Sequence, residues 1–205
     1  MDKKYTYLAL GDSYTIGESV AAAENFPNQT VTMLNSSSLN FQPARIIART
    51  GWTTDELEAG ISAANANDPL LTSYDFVSLL IGVNNQYRGR SVDNYKPEFE
   101  ELLKKAIQFA GGKAEHVIVL SIPDWGVTPF AAGSDRKKIA IQIDAYNEAN
   151  KLIAQKYTVH YINITPGTRE AANDTSLLAG DSLHPSGKAY KKWAEDVVAV
   201  IKSQL

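Results

Sequence analysis

The segment LALGDSYTIGE, residues 8–18, decides how the rest of the chain is read. It closes an apolar run, residues 5–10, whose unbroken hydrophobicity reads as a strand covered on both faces. Gly11, Asp12 and Ser13 then stop the run, and Gly17 follows four residues after the serine. Taken alone, such a triplet is an ordinary turn. It gains meaning only if other polar loops return to the same place.

Working outward, four more apolar, β-branched runs occur at residues 45–48, 76–81, 117–122 and 159–164. Stretches with helical spacing lie between and after them. The first contains residues 31–34, and Leu57, Ile61 and Ala64 mark the second. Thr53 with Glu56 three residues later has the form of a capping box opening that second helix. A third helix is expected over residues 93–110, with Phe99, Leu102, Leu103 and Ile107 on one face, and a fourth over 135–156. In the last, Tyr190, Trp193, Ala194, Val197, Val198 and Ile201 follow the three-four spacing after Ser186, the expected N-cap. Strand and helix alternate five times, which predicts a single α/β domain with a five-stranded parallel sheet between two helical layers. The expected winding is flavodoxin-like.

Bulk properties agree with one soluble domain. The chain has 205 residues, 44% hydrophobic and 21% charged, and no cysteine, so disulfides and thiolate chemistry are excluded. Net charge is −3 and the basic residues are scattered, which argues against a nucleic-acid partner. No stretch approaches the roughly 20 apolar residues of a membrane span, and the start offers no signal-peptide core. The chain as it stands is expected to be cytoplasmic. Four N-x-S/T sequons, at Asn28, Asn35, Asn163 and Asn173, carry no weight without a secretory route.

Ligands of open α/β sheets bind where the strands end. After the second predicted strand comes Arg49-Thr50-Gly51-Trp52; after the third, Gly82-Val83-Asn84-Asn85; after the fourth, Pro123-Asp124-Trp125-Gly126. The loop after the fifth reaches Asp181-Ser182-Leu183-His184-Pro185 just before the last helix. A serine at such an edge needs a base to take its proton, and the base needs an orienting carboxylate. Of the three histidines, His116 falls at the start of the fourth strand and His160 within the fifth. That leaves His184, with Asp181 three residues before it in a turn that can bring the carboxylate to Nδ1 and leave Nε2 for Ser13.

These blocks resemble the SGNH hydrolases, the GDSL-type esterases and lipases. "GDSYT" carries Ser13, "ARTGWTTDEL" Gly51, "IGVNNQ" Asn84, and "DSLHPS" Asp181 and His184, and the likeness runs from residue 6 to the last helix. It implies hydrolysis of carboxylic esters with Ser13 as nucleophile, His184 as base and Asp181 as its orienter. It further implies an oxyanion hole from the backbone N–H groups of Ser13 and Gly51 and the side-chain amide of Asn84, with no metal or cofactor. One position departs from the family pattern: Asn85 stands where G-x-N-D has an acid, a change expected to alter local support.

Candidates for the substrate pocket are Tyr14, Trp52, Tyr87, Arg88, Trp125, Val127 and Phe130. Loops this short predict a shallow, open site for small acyl groups, such as acetyl esters of sugars or simple alcohols. Lysophospholipase, thioesterase or acyl-transferase activity within the family, and a non-catalytic flavodoxin-like module binding phosphate or flavin, are the alternatives. The last is weakened because no G-x-G-x-x-G or complete P-loop is present.

Overall fold

A computed structural model describes residues 3–205. The chain runs β1 (Tyr7–Asp12), α1 (Ser13–Ile16), α2 (Phe26–Ser36), β2 (Arg45–Arg49), α3 (Thr54–Asn67), β3 (Phe76–Leu80), α4 (Val83–Tyr87) and α5 (Val92–Phe109). It continues through β4 (Val117–Leu120), α6 (Arg136–Lys156), β5 (His160–Ile162), α7 (Thr165–Arg169) and α8 (Gly187–Ser203), with short 3-10 turns between.

All strand pairings are parallel, in the order β2-β1-β3-β4-β5, so the sheet is doubly wound in the flavodoxin manner. Helix α2 packs on α8, while α3, α5 and α6 pack in series, giving the two helical layers. Every residue of β1, β3 and β4 is buried, which is why their sequences are continuously apolar rather than alternating. The polar exceptions are Asp12 at the end of β1 and Ser78 in β3, whose hydroxyl meets that of Tyr7 in β1 at 2.7 Å inside the sheet. Tyr190, Trp193, Ala194, Val197 and Ile201 of α8 are buried as their spacing requires, and burial of a large apolar side chain stabilises by roughly 1.5–3 kcal/mol.

The ends of the elements differ from the sequence reading in instructive ways. β1 continues two residues past the apolar run, to Asp12, because Gly11 and Asp12 still pair with Ala48 and Arg49 of β2. Thr53 is the N-cap of α3, and its N–H donates to the Glu56 carboxylate at 2.9 Å; its hydroxyl donates to Asp55 at 2.6 Å. Ser186 does occupy the N-cap of α8, but its side chain caps nothing: the hydroxyl donates to the carbonyl of Ser176 at 2.7 Å. The one-turn helices α1, α4 and α7 are too short to show periodicity in sequence. Two of them carry Ser13 and Asn84.

Candidate active site

Ser13 begins α1 directly where β1 ends. The turn is fixed by its own side chains: Asp12 caps α1 by accepting the Tyr14 N–H at 3.0 Å, and Gly17, left-handed at φ +80°, ends the helix with its N–H on the Ser13 carbonyl. Gly11 admits no side chain, because a Cβ there would lie 2.5 Å from the carbonyl oxygen of Leu80 and 2.1 Å from the Thr15 hydroxyl oxygen. The glycine lets β1 and β3 bring the serine in close.

The loop before α8 returns to this point. Leu178 bridges Pro185, the Ala179 N–H donates to the His184 carbonyl at 2.8 Å, and Ser182 takes a positive φ of 60°. Within that closed turn, Asp181 Oδ1 accepts the N–H groups of Leu183 and His184, each at 3.0 Å. Its Oδ2 accepts from the Ser19 hydroxyl at 2.8 Å and lies 2.6 Å from His184 Nδ1. His184 Nε2 is 2.9 Å from Ser13 Oγ. Carboxylate, imidazole and hydroxyl thus stand in one hydrogen-bonded series, although Ser13 and His184 are 171 residues apart.

Burial works to raise the Asp181 carboxyl, but the hydrogen bonds from the His184 ring, two backbone N–H groups and Ser19 outweigh it and hold the group at about 2. It is therefore a carboxylate at any ordinary pH. Asp12 behaves oppositely. Fully buried, it is pushed up to about 7 by desolvation, against the opposing hydrogen bonds from Tyr14 and Asn84.

Gly51 and Asn84 border the same cleft as Ser13 and His184. Gly51 is left-handed at φ +84°, a conformation that favours glycine. Its carbonyl accepts from Arg88 Nη2 at 2.6 Å, and Arg88 Nη1 pairs with Glu56 at 2.9 Å, so this arginine ties the Gly51 loop to α3. The Asn84 amide nitrogen has two protein acceptors, the Trp52 carbonyl at 3.0 Å and Asp12 Oδ2 at 3.3 Å.

Asn85 is fully buried and supports α3 rather than the cleft. Its oxygen accepts the Thr54 N–H at 3.1 Å and its amide donates to the Thr54 hydroxyl at 2.7 Å, while that hydroxyl donates onward to Glu98. An acid at residue 85 would compete with Glu98 for one hydroxyl proton. Asparagine resolves the competition.

The cleft encloses about 140 Å³. Tyr14, Tyr87, Trp125 and Phe130 line it; Trp52 and Val127 do not. The Trp52 indole instead lies over Gly60 of α3, so closely that a Cβ at residue 60 would fall 2.0 Å from it. Tyr14 packs on the His184 ring with centroids 4.9 Å apart. Trp125 is held by a chain that sequence reasoning missed: its indole N–H donates to Gln86 at 2.7 Å, and Gln86 donates to Gln142 at 2.8 Å. Tyr87 and Phe130, both about half exposed, form the rim around it. His116, at the opposite edge of the sheet, binds the Asp75 carbonyl and stacks on Phe76. Among the described residues no three His, Asp or Glu cluster as metal ligands, and no helix is long and apolar enough to cross a membrane.

A hydroxyl, an imidazole and a carboxylate in series at the carboxyl edge of a doubly wound sheet form the arrangement that acyl transfer through serine requires. The chain belongs to the GDSL-like Lipase/Acylhydrolase family, whose model matches residues 9–192, and membership supports ester hydrolysis as its class of reaction. No curated protein sequence matches it. Solved structures with the same fold include TesA, at 18% identity and a TM-score of 0.73 over 98% of this chain and 99% of that one. A lipase/acylhydrolase from Enterococcus faecalis aligns at 19% identity and 0.72, over 100% and 97% of the two chains. An acetylxylan esterase from Geobacillus stearothermophilus aligns at 19% and 0.71, over 96% and 94%.

Proposed function

We propose that the protein hydrolyses carboxylic esters of small acyl groups through an acyl-enzyme on Ser13. The observation that carries this reading is the series Asp181 Oδ2 to His184 Nδ1 at 2.6 Å and His184 Nε2 to Ser13 Oγ at 2.9 Å. Ser13 Oγ attacks the ester carbonyl as His184 Nε2 takes its proton, and the permanently ionised Asp181 stabilises the resulting imidazolium. Collapse of the tetrahedral intermediate breaks the bond to the alcohol oxygen, which leaves with the proton from His184. Water, deprotonated by the same nitrogen, then cleaves the acyl-enzyme and restores the Ser13 hydroxyl.

Negative charge on the former carbonyl oxygen meets the N–H groups of Ser13 and Gly51 and the amide of Asn84. That amide keeps its 3.0 Å bond to the Trp52 carbonyl and shares with the oxyanion the proton of its longer contact, the 3.3 Å one to Asp12. The cleft of about 140 Å³, walled by Tyr14, Trp125 and Phe130, supports acetyl and similarly short acyl groups over long chains. That one structural neighbour is an acetylxylan esterase agrees with this size class.

The test is labelling with a fluorophosphonate probe beside turnover of p-nitrophenyl acetate. The expected result is labelling and hydrolysis by the native chain, both abolished in Ser13→Ala with little change in Tm. Hydrolysis that survives in Ser13→Ala would overturn the reading.

A further inference from the structure

A second cavity, of about 150 Å³, opens beside the Ser13 cleft, where β4 and β5 end against α8. The two share Tyr14, Trp125 and Leu183 as a common wall. Leu183 precedes His184 and Pro185 follows it; Pro185 lines only the second cavity, whereas Gly51 and Asn84 line only the first. Ser13 and His184 themselves line only the first, so the second cavity lies beyond Leu183, on the side of the loop that carries His184 and away from Gly51 and Asn84.

That asymmetry has a chemical meaning. When the tetrahedral intermediate collapses, the departing oxygen must be within hydrogen-bond reach of His184 Nε2 to receive its proton. The alcohol portion of an ester consequently projects on the imidazole side, over Leu183. Ile164, Leu177, Leu178 and Trp193 line the space it reaches; the side chains of Asp124 and Thr168 beside them are already bonded to Arg169 and Thr165, and Lys192 and Asp196 are exposed. An apolar cavity of about 150 Å³ is large enough for benzene. We propose that this second cavity is the subsite for the leaving alcohol and takes an apolar, ring-sized group of about six carbons. This assignment rests on the ester-hydrolase reading of Ser13.

Gly167, in α7, supplies the means of testing it. It lines the second cavity and not the first, its φ is not in the left-handed region, and an added Cβ there meets nothing within 4 Å. A phenylalanine at this position fills the subsite without backbone strain.

The experiment compares cyclohexyl acetate with ethyl acetate, which share the acyl group and have alcohols of similar acidity. The native chain should favour the cyclohexyl ester by at least about tenfold in kcat/KM, since even one methylene in an apolar pocket is worth that much. In Gly167→Phe the ratio should fall to near one, and Gly167→Leu serves if the larger residue impairs folding. A ratio near one in the native chain, or one that both variants leave intact, overturns the proposal while the hydrolase reading stands. Binding is read separately, by titrating cyclohexanol into Ser13→Ala and following tryptophan fluorescence, because Trp125 and Trp193 line the cavity. Saturable quenching lost in the Gly167 variants, in a protein that hydrolyses no ester, would leave the ring pocket in place and remove the reaction assigned to it. No quenching in Ser13→Ala counts against the pocket itself.

Discussion

The carboxylate of Asp12 and the side-chain amide of Asn84 lie 3.3 Å apart, joining the residue before the proposed nucleophile to a proposed oxyanion donor 72 positions away. The same carboxylate caps the helix that begins with Ser13. One buried group thus holds two parts of the site in register.

Asp12→Asn should disturb that register. The new amide keeps an acceptor for the Tyr14 N–H but turns a donor toward the donor of Asn84, and kcat should fall about tenfold, or about 1.4 kcal/mol of barrier. A pH signature accompanies it. Because the native pKa, about 7, lies above that of the unfolded chain, the stability from the neutral form is full below about pH 4 and is lost as pH rises through 7. The unfolding free energy of the native chain minus that of Asp12→Asn should therefore decrease from pH 5 to pH 8 in urea melts. Equal differences at the two pH values would mean that Asp12 is ionised throughout.

Asn84→Ala removes the proposed side-chain donor of the oxyanion hole. The expected loss is about 10²- to 10³-fold in kcat with KM little changed, measured on p-nitrophenyl acetate. A rise in KM alone would reduce Asn84 to a substrate contact.

For Asp181→Asn, loss of the carboxylate leaves His184 without its orienting charge, and kcat should drop by about 10³- to 10⁴-fold. The linkage here has the opposite sign to that of Asp12. With a native pKa of about 2, below the unfolded value, Asp181 contributes stability above about pH 4 that is lost as pH falls through 2. Thermal unfolding should show the native chain's advantage over the variant shrinking between pH 5 and pH 2.5.

Arg88→Ala frees the Gly51 carbonyl and breaks an exposed pair with Glu56. Stability should stay within about 0.5 kcal/mol, as for other surface substitutions. Catalysis should nonetheless weaken several-fold through kcat, and Arg88→Lys should not restore it, because one ammonium cannot reach both acceptors as the guanidinium fork does. Full activity in Arg88→Ala would show that the Gly51 loop holds itself.

The sequence alone determined the alternation of strands and helices, because burial on both faces leaves continuous apolar runs and burial on one face leaves a three-four stripe. It also determined which loops carry Ser13, Gly51, Asn84, Asp181 and His184, since glycine turns and D-x-x-H are local chemistry at strand and helix ends. Contacts between segments far apart were decided only by the tertiary structure. Trp52 and Trp125 each follow a strand and look alike as pocket residues, yet one is spent against Gly60 and the other is fixed in the wall by Gln86. Arg88 reads as a pocket candidate until the fold sets Gly51 and Glu56 on either side of it, outside the lining of the cleft. Asp12 reads as a turn residue until the fold sets the Tyr14 N–H on one of its oxygens and, past the end of β3, Asn84 on the other. The cavity beyond Leu183 is formed by segments after β1, β4 and β5 and by α8, and no local pattern records a space that four distant segments enclose.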